Sequence, residues 1–465
     1  MKRLESLNCS TTPTGGKRWP MSFFFLTKNF AYYYHPLLLK VANVLALSMP
    51  PPVGFSYCTP PGPSASGGDC GNWSDTTTAS VTYHAITSWL KAYPEYASNE
   101  MFLAGESYAG VYVPTIVQNI LANPQEKINL KGFAVGDACT PPDICGSKQS
   151  GPYWTIQFLF GKSAISNQLY EQINAVCTLD ELTNGGLSSE CASVVDQVNV
   201  EAGGYWVYGF YDDCWYENDI RRRSRKLIHI PSLHGPSDEN EDRSYWGPPQ
   251  RKVASGREGK SRVSNYPNGY ACGGPSAQIE WLSKSEVKRA INVPEEANFF
   301  QSDNGVGFTY NFDVNDLVSW YKEIIATGTL RIMVYNGDTD PCINSFQAQN
   351  WTRNLGFEET QSWRAWTVDG CQRMGGYVIR YENNFDFVSI RGSGHMVPQF
   401  KPQASLEFLN QFLKGEDYKK YDASCSSPDD SFVTIPTTVN HAAVLSEIQD
   451  LQDRIAELKS TLAGN

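Results

Sequence analysis

Short apolar runs and helical repeats alternate along much of the chain. Asn43–Leu47, Met101–Ala104, Lys131–Gly136, Leu330–Tyr335 and Asp386–Ile390 are brief, nearly continuous apolar stretches. Runs of this length predict strands buried on both faces. Val53–Tyr57 reads as the loop after the first of them. Between the runs, Thr76–Tyr93 carries Ala79, Tyr83, Ile86, Trp89 and Leu90 at helical spacing. A second helix is predicted to run to about Leu121, with Pro114 distorting its first turns because proline lacks the N–H and crowds the preceding turn. Pro402 opens a third, with Leu406, Leu409, Phe412 and Leu413 on one face. Strands alternating with helices predict an α/β fold, a mostly parallel central sheet with helices on both faces.

The alternation covers residues 42–140 and resumes over 326–420, so these stretches read as two parts of one core. Residues 141–325 break it and read as an inserted, mostly helical cap. Within the cap, residues from about 221 to 268 begin Arg221-Arg222-Arg223-Ser224-Arg225-Lys226 and continue as polar, Pro- and Gly-rich text. They predict an exposed, disordered loop whose basic clusters suit a processing protease or simply face solvent. Residues 1–41 carry no pattern. Residues 421–465 read as a linker and a short helix in which Val444, Ile448, Leu451, Ile455, Leu458 and Leu462 hold heptad spacing. A helix this short is marginal alone, so it either docks on the body or joins copies into a homo-oligomer through 444–462.

Composition narrows the function classes. The chain has 465 residues, 41% hydrophobic, with 49 acidic against 38 basic side chains. That balance disfavours nucleic acid as a partner. Twelve cysteines without a CxxC pair or a Cys/His cluster of zinc spacing point to disulfides rather than metal. Cys58 and Cys70 bracket a Pro/Gly/Ser loop that a local bridge would close. Asn72-Trp73-Ser74 and Asn350-Trp351-Thr352 are glycosylation triplets that agree with a secretory route. Against that route, the apolar run Met21–Leu26 is too short for a signal-peptide core, and no stretch approaches a membrane span.

The candidate chemistry starts at Gly105-Glu106-Ser107-Tyr108-Ala109-Gly110, between a predicted strand and a predicted helix. A serine at such a corner needs small neighbours, and this is how an α/β hydrolase presents a nucleophile. The usual fifth-position glycine is Ala109 here, with Gly110 one place later; a tight turn with a capping serine is the plainer alternative. A serine nucleophile needs an imidazole base and a carboxylate behind it. Of six histidines, His395 alone follows a predicted strand and sits in a glycine-rich loop, Arg391–Pro398. The acid should fall between them, and Asn336-Gly337-Asp338-Thr339-Asp340 ends a strand where active sites of such sheets assemble. Spacing leaves Asp338 and Asp340 equally placed.

Four blocks in order, Ala42–Leu45 with Val53–Tyr57, Gly105–Pro114, Asn336–Asp340 and Arg391–Pro398, resemble the serine carboxypeptidase family across about residues 42–415. The family includes lysosomal and vacuolar carboxypeptidases and plant acyltransferases. The resemblance implies an α/β-hydrolase fold, Ser107 as nucleophile, Asp340 as acid, His395 as base and the Tyr108 backbone N–H as an oxyanion donor. It implies that Glu106 binds the carboxyl end of a peptide by sharing a proton, hence an acidic working range. Met396 is implied in the leaving-group pocket, or as ordinary packing. No metal or cofactor is expected. Peptide or protein C-termini are the expected partners, and a lysosomal, vacuolar or secreted site the expected location. Cys214 and Cys272 match a pair bracketing a cleavable loop; Cys177 and Cys191 are close enough to pair locally. The family's Asn-Gly-Gly-Pro-Gly-Cys-Ser-Ser block, which supplies half of the oxyanion hole, has no counterpart here. Its loss predicts turnover lower by roughly 100- to 1000-fold, or a gene start read from the wrong exon. The alternatives are an acyltransferase on the same fold, in which an alcohol replaces water, and, because of the missing block, a catalytically impaired relative.

Overall fold

The computed structural model describes residues 41–58, 62, 69–140, 151–203, 205, 208–211, 279–300, 309–314 and 316–425. The basic loop, the Cys214–Cys272 pair, the heptad segment and residues 1–40 lie outside them. In chain order the elements are β1 (Asn72–Ser74), α1 (Asp75–Ala92), β2 (Met101–Glu106), α2 (Ala109–Ala122) and β3 (Leu130–Gly136). Helices α3 (Tyr153–Gly161), α4 (Asn167–Val176), α5 (Leu179–Asn184), α6 (Ser189–Ala202) and α7 (Ser285–Ala290) follow, then β4 (Thr309–Asn311) and α8 (Val318–Ala326). The chain closes with β5 (Arg331–Gly337), α9 (Ser345–Arg353), β6 (Glu359–Thr367), β7 (Met374–Tyr381), β8 (Phe385–Ile390), α10 (Val397–Phe400) and α11 (Pro402–Lys414).

Six strands form one sheet in the order β2-β3-β5-β8-β7-β6, parallel from β2 to β8 and antiparallel from β8 to β6. Side chains alternate across it. Leu103, Phe133, Val135, Ile332, Val334 and Phe387 pack against α1, α2 and α8 on one face. Phe102, Ala104, Ala134, Met333, Tyr335, Val388 and Ile390 meet Phe408, Leu409 and Phe412 of α11 on the other. Both faces are covered, which is why these strands read as continuous apolar runs. In α11 the buried stripe is centred on Phe408, Leu409 and Phe412, while Leu406 is only half-buried.

Two expectations are corrected. Asn43–Leu47 forms no strand. Ala42 and Val44 reach one apolar layer and Leu45 and Leu47 the other, so the segment has strand-like alternation without ladder hydrogen bonds. Pro114 does not interrupt α2, which runs unbroken from Ala109 to Ala122. The carbonyl that proline leaves without its usual amide partner is that of Gly110. It accepts instead from the buried Thr140 hydroxyl at 2.8 Å, so no polar group is stranded.

α1 starts at Ser74, whose hydroxyl accepts from Thr77 N–H. Between β3 and β4 the described residues are mostly helical. Ile156, Phe158, Leu169, Ile173, Val195 and Val198 of α3, α4 and α6 form a separate cluster. Cys58–Cys70 and Cys177–Cys191 are bridged, and a third disulfide joins Cys371 to Cys425 across 54 residues, beyond what local spacing suggests. Among the described residues, no helix is long and apolar enough to cross a membrane.

Candidate active site

The site lies at the carboxyl ends of β2, β3, β5 and β8. β2 ends at Glu106, and Ser107 turns the chain into α2 with φ of 64°. A serine with positive φ is strained, and the strain is held by surrounding backbone bonds. Ser107 N–H donates to Gly136 O at 2.8 Å, and its own carbonyl accepts from Cys139 N–H at 3.0 Å. The shifted glycine of the motif has a spatial reason. A Cβ on Gly110 would stand 2.7 Å from Cys139 N and 2.9 Å from the Ala138 Cβ, so only glycine lets α2 sit against the loop after β3. Ala109 is fully buried there without conflict.

Tyr108 occupies the cap position of α2, where an N–H has no partner within the helix. Its hydroxyl donates to Asp75 Oδ1 at 2.8 Å. Asp75, fully buried at the start of α1, also accepts from Tyr310 Oη at 2.9 Å and from the N–H groups of Asp313 and Val314. This carboxylate ties the residue after Ser107 to the segment around β4. Sequence reasoning missed it, because its partners lie some 235 positions away in the chain.

β5 and β8 are adjacent parallel strands, so the loops at their carboxyl ends meet. Gly337 is where they touch: a Cβ there would come 2.3 Å from Gly394 O and 2.4 Å from Ser393 O. Thr339 N–H donates to Ser393 O at 2.8 Å, and Gly392 N–H donates to Asp338 Oδ1 at 2.6 Å. Asp338 therefore braces the loop. Asp340, completely buried, faces His395: Oδ2 is 2.7 Å from His395 Nδ1, and Oδ1 accepts from Cys342 N–H at 2.8 Å. The structure thus separates the two aspartates that spacing left level. Tyr208 lies over the imidazole with ring centres 4.9 Å apart, and its carbonyl accepts from the His395 backbone N–H at 2.8 Å. Met396 is half-buried next to the histidine. No hydrogen bond joins the Ser107 hydroxyl to His395 in this structure; such contacts commonly tighten only around substrate.

Glu106 and Val397 connect the serine and histidine loops. Glu106 is buried, and its Oε2 accepts from Val397 N–H at 3.1 Å. Burial pushes its carboxyl well above the usual range; the Val397 hydrogen bond opposes this and the Asp340 charge adds to it. Asp137, directly after β3, is also buried and is raised for the same first reason, then by Asp340 and Glu106. A carboxylate just past a parallel strand carries the same positional signal that marked Asp338 and Asp340, so Asp137 was open to detection from sequence. Asp137, Asp340 and His395 have ligand atoms within 4.8 Å of one another, a spacing that a metal ion would accept. Here His395 Nδ1 and Asp340 are engaged with each other.

The raised carboxyls fix the direction of a pH effect. At mid-acid pH the folded protein keeps protons that the unfolded chain has released. Stability from Glu106 and Asp137 is fully present below about pH 4, the unfolded carboxyl range, and is lost as pH rises through their raised folded values. The melting temperature should therefore fall between acidic and neutral pH, and Glu106→Gln should flatten that slope. A melting temperature that climbs over the same interval would contradict the assignment.

Comparisons with known proteins agree with this geometry. The family model described as serine carboxypeptidase matches residues 39–415. Serine carboxypeptidase-like 21 of Arabidopsis thaliana is 28% identical over 398 residues, covering 81% of this chain and 76% of that protein. Serine carboxypeptidase 1 of Hordeum vulgare is 27% identical over 399 residues, covering 81% and 74%. In structure, Kex1Δp, a prohormone-processing carboxypeptidase of Saccharomyces cerevisiae, aligns with TM-score 0.55 at 16% identity, over 86% of this chain and 85% of that one. That likeness is one of fold, an α/β hydrolase. A family match spanning most of the chain, on a sheet that brings a strained serine corner and an Asp–His pair to the same edge, places this chain in the serine carboxypeptidase family.

Proposed function

We propose that the chain is a serine-type carboxypeptidase that releases C-terminal amino acids from peptides through an acyl-enzyme, most active at acidic pH. The observation that carries this reading is Glu106: a buried carboxyl one residue before Ser107, bonded to the backbone two residues after His395. Kept protonated by burial, it can donate to the carboxylate of a peptide C-terminus, which an ionised glutamate would repel. Ser107 attacks the last peptide carbonyl while His395 takes its proton. The Tyr108 N–H faces the oxyanion, and Asp340 keeps the Nδ1–H tautomer that leaves Nε2 free to act. His395 then protonates the departing amino acid, and water releases the acyl group from Ser107. Met396, beside the base, is suited to line the pocket for the departing residue. The disulfides among the described residues support an oxidising compartment, vacuolar, lysosomal or secretory.

The test is a paired incubation of the purified chain with a blocked dipeptide and with an acyl glucose plus an alcohol acceptor, across pH 4–8. Free amino acid from the dipeptide, with a rate that declines as pH rises through the Glu106 value, is the expected result. Ester formation without amino-acid release would replace this reading with acyl transfer. No reaction of Ser107 with an active-site phosphonate would end both.

A further inference from the structure

Asp137 is a second buried carboxyl in contact with the Asp340–His395 pair, and the peptidase chemistry leaves it without a task. It follows Gly136 with φ of 40°, and its N–H donates to Tyr335 O at 2.8 Å. Its Oδ1 accepts from Asn336 Nδ2 at 2.9 Å and from Gly337 N–H at 3.0 Å. These bonds pin the carboxyl between the ends of β3 and β5. Among the described residues, the titratable groups facing it are Asp340, His395, Glu106 and Cys342, with no lysine or arginine among them. Its carboxyl lies within 4.8 Å of the ligand atoms of Asp340 and His395.

Two carboxyls buried this close together do not both ionise readily, so one of them keeps a proton. Asp340 is surrounded by donors: Cys342 N–H on Oδ1 and His395 Nδ1 on Oδ2. Its charge is matched by the imidazolium that forms when His395 takes a proton. Asp137 accepts N–H groups too, so the His395 contact decides: the charge is assigned to Asp340, whose partner becomes cationic in the reaction, and the proton to Asp137. We propose that Asp137 is a positioning residue, held as the neutral acid, whose hydroxyl donates to the Asp340 carboxylate and locks its orientation toward His395. The role rests on the Asp340–His395 pair serving as acid and base, and goes beyond it by assigning a third carboxyl to their alignment. An asparagine at 137 would reproduce the arrangement, with Oδ1 accepting from Asn336 and Gly337 and Nδ2 donating to Asp340. An alanine would leave Asp340 held from two sides only.

The experiment uses the full chain and three readouts. With aspartate carboxyls isotopically labelled, infrared or carbon NMR spectra at pH 6 should contain a protonated aspartic acid signal that is absent from Asp137→Asn. Histidine NMR titration should give the same His395 pKa in wild type and Asp137→Asn. In blocked-dipeptide hydrolysis, Asp137→Ala should lower kcat by roughly tenfold to a hundredfold with KM little changed, as expected for a misaligned catalytic group, and Asp137→Asn should recover most of that loss. A His395 pKa lower by about one unit or more in Asp137→Asn would show that a negative charge had been removed, and would overturn the proposal. So would an unaltered carboxyl spectrum. If wild type hydrolyses no peptide, the peptidase reading fails, while the carboxyl spectrum and the His395 titration still decide the state of Asp137. If the alanine variant does not fold, the asparagine variant carries both spectroscopic tests.

Discussion

Ser107→Ala should lower kcat/KM for a blocked dipeptide by on the order of a million-fold, and adding His395→Ala should cost almost nothing more. In the proposed mechanism the hydroxyl and the imidazole act as one unit. Without the oxygen there is no acyl-enzyme and nothing for the base to deprotonate, so the two losses cannot add. Residual turnover would come from whatever donors and binding contacts remain. The serine variant is also a clean one structurally. Alanine at φ of 64° carries the strain that serine already bears, and the Ser107 N–H and carbonyl keep their bonds to Gly136 and Cys139. Its melting temperature should match wild type. His395→Ala is less clean, because it strips the buried Asp340 of its 2.7 Å partner and leaves a carboxylate poorly compensated. Amino-acid release alongside thermal unfolding checks both statements. A Ser107→Ala protein that retained more than a small fraction of wild-type hydrolysis would remove Ser107 from the reaction.

Asp340→Asn should reduce kcat by about ten-thousand-fold with the fold intact. Asp340 accepts from both sides, from the Cys342 N–H and from His395 Nδ1. An amide can present its NH2 to the imidazole, which selects the tautomer with the proton on Nε2. That nitrogen then cannot take a proton from Ser107, and no negative charge stabilises the imidazolium. Asp338→Asn is the matched control. Asp338 accepts the Gly392 N–H, a bond that an amide oxygen takes as well, and its charge faces Lys162, Lys401 and Arg391 rather than the imidazole. Hydrolysis by Asp338→Asn should stay within about tenfold of wild type, the scale of one modest hydrogen-bond change. Equal losses in the two variants would mean that the loop, rather than the acid, was being measured.

The apolar runs at Met101, Lys131, Leu330 and Asp386 were legible as buried strands because each is covered on both faces. α1 was legible from its periodicity, and α11 from its periodicity and its opening proline. The antiparallel pair β6 and β7 was not, since its sequences mix charged, glycine and aromatic residues without a long apolar run. Asn43–Leu47 misled because its pattern matches a strand while strand identity depends on a hydrogen-bonded neighbour, which no local pattern reveals. Pro114 misled for a similar reason: its disruptive effect was judged locally, and the Thr140 hydroxyl that compensates comes from beyond β3.

The site divides along the same line. From sequence alone came Ser107 at its corner, His395 by elimination among six histidines, and the order of acid before base, because these follow from chain order and from what glycine-rich turns permit. Sequence alone left Asp338 and Asp340 level, passed over the position of Asp137 after its strand, and took no notice of Asp75 or Tyr208. The choice between the aspartates and the roles of Asp75 and Tyr208 depend on which side chains converge after β2, β3, β5 and β8 are laid side by side. A contact of 2.7 Å between residues 55 positions apart is set by strand adjacency, and adjacency is decided by the packing of the whole sheet rather than by any stretch within it.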